Sequence, residues 1–79
     1  MSDDKPAKPQ RGVQTVETAG TILRAFARNP RPMKLRELAD ATGIAPSQLH
    51  PYLVSLRNAD LVEQIEGALY TPGPFALEL

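Results

Sequence analysis

The run TGIAPSQLHPYLVSLRNADLV (residues 42–62) carries Leu49, Leu53 and Leu56 at four- and three-residue steps, the spacing of one apolar helical seam. Pro46 suits the first position of such a helix, where its missing N–H has no partner to lose and its fixed φ matches the helix. Pro51 does not. It removes the bond to the Ser47 carbonyl and crowds that carbonyl with its ring, at a cost of ~3 kcal/mol unless the helix yields. The expectation is a third helix over about 46–59 that bends near its front, with 51–59 as its regular part. A 100° step per residue sets Ser47, Pro51, Ser55 and Asn58 opposite the seam, with Gln48 beside them and His50 on the flank.

The flanking segments supply the rest of a small fold. Upstream, Leu35, Leu38, Ala39 and Thr42 share one face of a short helix that begins after Met33, and Gly43 supplies a left-handed stop. Only residues 43–45 separate this helix from the next. Two helices joined by a short Gly-containing turn form a helix-turn-helix pattern, although a plain helical hairpin in a small bundle has the same signature. Earlier still, Thr15 is placed to cap a first helix, and Val16, Ala19, Ile22, Leu23 and Phe26 form its apolar stripe. Asn29-Pro30 ends it. Gly20 inside that helix costs about 1 kcal/mol relative to Ala, and a close neighbour is one reason to keep it.

Downstream, Asn58-Ala59-Asp60 ends the third helix. LVEQI then alternates as a strand, Glu66-Gly67 forms a two-residue turn, and ALYT returns as the partner strand. Three helices followed by a hairpin make a mostly α winged helix-turn-helix with a small β-hairpin. Residues 1–12 are polar, rich in Lys, Pro and Gln, and read as a disordered arm.

Composition removes several function classes. The 79 residues contain no cysteine, which excludes disulfides and thiolate metal sites. The N-terminus lacks an apolar signal core, and no run approaches the roughly 18 apolar residues of a membrane span, so the chain reads as soluble and cytoplasmic. A single histidine, no glycine-rich phosphate loop and no paired carboxylates argue against an enzyme, a bound cofactor or a metal site. Net charge is zero, but its distribution is uneven. Arg24, Arg28, Arg31, Lys34 and Arg36 fall together without an acid. Residues 37–79 hold Glu37, Asp40, Asp60, Glu63, Glu66 and Glu78 against Arg57 alone. That asymmetry suits a basic face on a neutral protein, or simply two solvated surfaces.

The ordered set "ELADATG", "SQLHPYL", "LVEQ" and "YTPGPFALEL" resembles the N-terminal DNA-binding domain of the IclR (isocitrate lyase regulator) family of bacterial transcription factors, over residues 13–79. The resemblance implies a winged helix-turn-helix over 13–72 that sets its third helix in the major groove of double-stranded DNA. It also implies a homodimer or tetramer, and a linker helix leading to a C-terminal effector-binding domain. "GPFALEL" matches the start of that linker, so 73–79 reads as linker and the chain as an excised domain without the effector pocket. Three departures stand out. Lys34 replaces a common Ser or Thr, which leaves Glu37 without the hydroxyl partner of a capping box and weakens that helix start by about 1 kcal/mol. Ala45 and Pro46 replace Ser and a basic or polar residue. Pro51 stands where Arg is frequent, removing a phosphate or base donor.

Ser47, Gln48, Pro51 and Ser55 are the base-edge candidates. Gln can pair bidentately with adenine, Ser can donate or accept, and Pro51 offers only apolar contact to a thymine methyl. Arg31, Lys34, Arg36, His50 and Arg57 are the phosphate candidates. Glu63 and Glu66 make the wing a poor phosphate ligand. Pro51, the acidic wing and the neutral charge also suit a winged helix used for protein contact.

Overall fold

The computed structural model describes residues 12–78. Except for Gly12, the arm expected over 1–12 lies outside them, as does Leu79. Helix α1 (Gln14–Arg28) is followed by the two-residue strand β1 (Met33–Lys34), helix α2 (Leu35–Thr42) and helix α3 (Pro46–Asn58). Strands β2 (Val62–Ile65) and β3 (Leu69–Pro72) and the short helix α4 (Pro74–Glu78) complete the chain. The three strands form one antiparallel sheet in the order β1-β3-β2, with Tyr70 opposite both Met33 and Gln64. This is the winged helix-turn-helix expected from the sequence, with one addition: β1, which pairs the segment before α2 with the wing.

One apolar core joins these elements. Ile22, Ala25 and Phe26 of α1 meet Leu38 and Ala39 of α2, all three seam leucines of α3, and Met33, Val62 and Tyr70 of the sheet. Burial of these side chains, at roughly 25 cal/mol per Å² of apolar surface, supplies the main force that holds three short helices together. The apolar stripe of α1 is only partly used. Ile22 and Phe26 are buried, Ala19 and Leu23 half-buried, and Val16 is 68% exposed.

Local chemistry sets the turns. Gly43 adopts φ +77° and its N–H donates to the Ala39 carbonyl at 2.9 Å, the left-handed stop expected of it. The Thr42 hydroxyl donates to the Leu38 carbonyl at 2.7 Å and accepts the Ile44 N–H at 3.2 Å, so one side chain ties α2 to the turn. At the end of α3, Asp60 takes φ +64°. The Leu61 N–H reaches back to the Leu56 carbonyl and the Asp60 N–H to that of Arg57, a Schellman stop. Glu66 and Gly67 both have positive φ, and the Ala68 N–H donates to the Ile65 carbonyl at 3.2 Å, a tight two-residue turn. Since Ile65 pairs with Leu69, Ala68 is an extra residue between the turn and β3.

Three expectations need correction. Thr15 is not the cap of α1. The helix starts two residues earlier than a Thr15 cap implies, at Gln14, with Val13 at the cap position and no side chain accepting there. Glu17 in the first turn places a carboxylate near the free N–H groups and complements the helix dipole instead. Secondly, α3 runs as one α-helix from Pro46 to Asn58, and the regular part does not begin at Pro51. Pro51 and Ser47 both lie on the exposed side of α3, and the helix continues through them on its buried leucine seam. Lastly, Gly20 has no close backbone neighbour among the described residues. A Cβ there would meet only the tip of Arg24, at 3.7 Å.

Candidate nucleic-acid interface

The front of α3 is exposed because its apolar seam faces inward. Leu49, Leu53 and Leu56 are at most 7% exposed, while Ser47, Gln48, His50, Pro51, Ser55 and Arg57 are all exposed. The base-edge candidates divide into two pairs. Ser47 and Gln48 lie in the first turn, just after the Ala45 cap. Pro51 and Ser55 line an apolar groove of about 650 Å³ together with Val16, Gly20 and Leu23 of α1 and Tyr52 of α3. The face opposite the seam is therefore polar at its front and borders an apolar groove farther along.

A second group gathers at the start of α2. Lys34 is the cap residue, Arg36 lies in the first turn, and Arg31 precedes them. The Lys34 N–H donates to Glu37 Oε1 at 2.8 Å, the backbone half of a capping box. The reciprocal half is absent, since an ammonium group cannot accept a hydrogen bond. Lys34 therefore keeps its side chain free while its backbone still closes the helix start. Arg31 Nη1 donates to Glu37 Oε2 at 3.3 Å, an exposed ion pair. The Lys34 N–H bond, reinforced by Arg31, holds the Glu37 carboxyl below its ordinary value. Of the three basic side chains here, Arg31 is engaged by an acid, which reduces the positive potential of this corner.

Arg57 stands apart at the far end of α3, where its guanidinium donates to Gln64 Oε1 on β2. The structure thus brings Arg31, Lys34 and Arg36 together and leaves Arg57 on the wing side. Gln64 was not among the residues singled out from the sequence. The contact joins positions seven apart across a helix–strand corner, a spacing that no periodicity rule reports. Among the described residues, no helix is long and apolar enough to cross a membrane, and no group of His, Cys, Asp or Glu is placed to hold a metal.

Known proteins give the geometry its context. The profile of the IclR helix-turn-helix domain matches residues 15–66. HmgR of Pseudomonas aeruginosa superposes with a TM-score of 0.78 at 30% identity, over 84% of this chain and 28% of that one. A transcriptional regulator of Rhodococcus sp. RHA1 gives 0.75 at 26% identity, covering 86% of this chain and 27% of the other. An IclR transcriptional regulator of Alicyclobacillus acidocaldarius shares the fold, with a TM-score of 0.76 at 24% identity over 86% and 28% of the two chains. No curated protein matches. This chain spans little more than a quarter of the length of these structural relatives. The profile match covers the three helices from Thr15 onward and the whole of the first wing strand, and the chain belongs to the IclR family of transcriptional regulators through its helix-turn-helix domain.

Proposed function

We propose that this chain is a sequence-specific DNA-binding domain of a bacterial, cytoplasmic transcription regulator, with α3 entering the major groove. The observation that carries this reading is the exposed polar front of α3, held by a seam of three buried leucines, in a fold whose preceding helix α2 has a basic start. Ser47, Gln48 and Ser55 read base edges, Pro51 offers apolar contact to a thymine methyl, and Lys34, Arg36, Arg57, His50 and Arg31 meet phosphates. Arg31 does so at the expense of its pair with Glu37. The domain has no catalytic role. In the full-length regulator it works as a homodimer or tetramer whose effector binds a separate C-terminal domain.

With about four basic contacts, one copy binds duplex DNA near the non-specific range of ~10⁻⁴–10⁻⁶ M at physiological salt. Joining two copies raises affinity through effective concentration. Selection of bound duplexes from a random pool tests the reading. Enrichment of a common half-site, with log K falling linearly against log salt, supports it; salt-indifferent binding without enrichment overturns it.

One observation favours a second reading. The apolar groove beside Pro51 and Ser55 suits protein contact better than a polyanion. A domain indifferent to DNA that binds a specific protein through this groove would be a winged-helix interaction module.

A further inference from the structure

The corner where α3 meets the hairpin contains a hydrogen-bonded chain that the fold alone does not require. Arg57 Nη1 donates to Gln64 Oε1, and the same amide donates through Nε2 to the Gly67 carbonyl at 3.0 Å. Its orientation is determined by these two partners. Turned over, the NH₂ would face guanidinium N–H groups and the amide oxygen would face a carbonyl. Val62 is buried, and Gln64 lies two residues along the same strand, so β alternation directs it toward the same helix-bearing side. Gly67 sits in the positive-φ turn, so the bond to its carbonyl also ties β2 to the tip of the wing.

The chemistry of the partner matters. Arg57 is the only Lys or Arg in residues 37–79, and Glu63 and Glu66 make the adjoining wing acidic. A carboxylate at position 64 would orient Arg57 and cancel its charge. An amide orients it and leaves the charge whole, with most of the guanidinium donors unused by Gln64. Arg31, by contrast, is held by an acid.

We infer that Gln64 is a positioning residue that holds the Arg57 guanidinium, with its charge uncancelled, as the phosphate contact on the wing side of α3. The inference rests on the DNA-binding reading. The test is titration of a short mixed-sequence duplex between about 50 and 200 mM salt with the wild-type domain, Arg57→Ala, Gln64→Ala, Gln64→Glu and the Arg57→Ala/Gln64→Ala double variant. Thermal melts followed by circular dichroism check that each variant folds.

Arg57→Ala flattens the plot of log K against log salt by about 0.9, the loss of one phosphate contact. Gln64→Glu flattens it equally, because its carboxylate neutralises the arginine. Gln64→Ala keeps the slope and weakens binding about threefold, the size of an exposed orienting interaction. In the double variant Gln64→Ala adds nothing to Arg57→Ala. A folded Gln64→Glu variant with the wild-type slope overturns the inference. So does a Gln64→Ala penalty that persists undiminished in the Arg57→Ala background, which would make Gln64 a brace for the wing alone. Either result leaves salt-dependent wild-type binding, and with it the DNA-binding reading, intact. Salt-indifferent wild-type binding removes both.

Discussion

The backbone N–H of Phe75 donates to the carbonyl oxygen of Asp60 at 3.0 Å, so the start of α4 is anchored on the turn that ends α3. A second bond, from the Gly73 N–H to the Leu61 carbonyl at 3.0 Å, runs beside it. Gly73 is buried, and a Cβ there would lie 2.5 Å from the Asp60 oxygen and 3.1 Å from the Val62 nitrogen. The close approach of two backbones requires glycine at this point, and it fixes where α4 leaves the wing.

Gly73→Ala should therefore destabilise the domain by about 1–3 kcal/mol, as overpacking against backbone that cannot move aside. Urea denaturation measures the change. A variant as stable as wild type would mean that α4 does not pack on the Asp60 turn in solution.

Pro51→Arg bears on both functional readings. In the groove reading it supplies a donor facing DNA and restores the backbone bond to the Ser47 carbonyl. Affinity for a selected duplex rises, the salt slope steepens by about 0.9, and helix content holds or increases. In the protein-contact reading the same change places a charge at the edge of an apolar groove and weakens that complex. A folded variant with unchanged affinity and unchanged slope would speak against α3 in the major groove.

A dimer formed under the proposed reading should use α1 and the segment around Phe75-Ala76-Leu77. Val13, Val16, Phe75 and Leu77 are the exposed large hydrophobic residues among those described, and Gly20 offers a site of close approach where, among the described residues, only the flexible tip of Arg24 comes near. Gly20→Glu combined with Leu77→Lys should raise the dimer dissociation constant about tenfold or more, ~1.4 kcal/mol, since a charge must then be desolvated at the contact. Sedimentation equilibrium measures it, and a dimer indifferent to both changes would assign the interface elsewhere.

Glu37 links stability to acid. Its carboxyl is held below the ordinary value of 4.5 by the Lys34 N–H and by Arg31. The folded state therefore binds its proton less readily than the unfolded chain. The contribution is full above pH 4.5 and is lost as pH falls through the lowered native value. Wild type should be more stable than Glu37→Gln at neutral pH, and the difference should shrink progressively below pH 4.5 in denaturation curves. A gap that stays constant as the pH falls would mean that the ionised carboxylate contributes nothing at the start of α2.

Short-range chemistry made much of this fold legible from the chain. The three leucines of α3, the left-handed Gly43, the helix stop at Asn29-Pro30 and the Glu66-Gly67 turn each depend on spacing or backbone preference within a few residues, and each stands where the sequence puts it. What depends on distant partners was decided only by the tertiary structure. Met33 and Lys34 carry no periodicity and form a strand because β3 offers a free edge to them. α3 continues past Pro51 because packing of the seam outweighs the loss of one backbone hydrogen bond. Arg57 was visible as a cation, but its neutral brace on Gln64 was not, and neither was the pairing of Arg31 with Glu37. Residue type gives the charge; the path of the backbone decides what stands beside it and how much of that charge remains available to a partner.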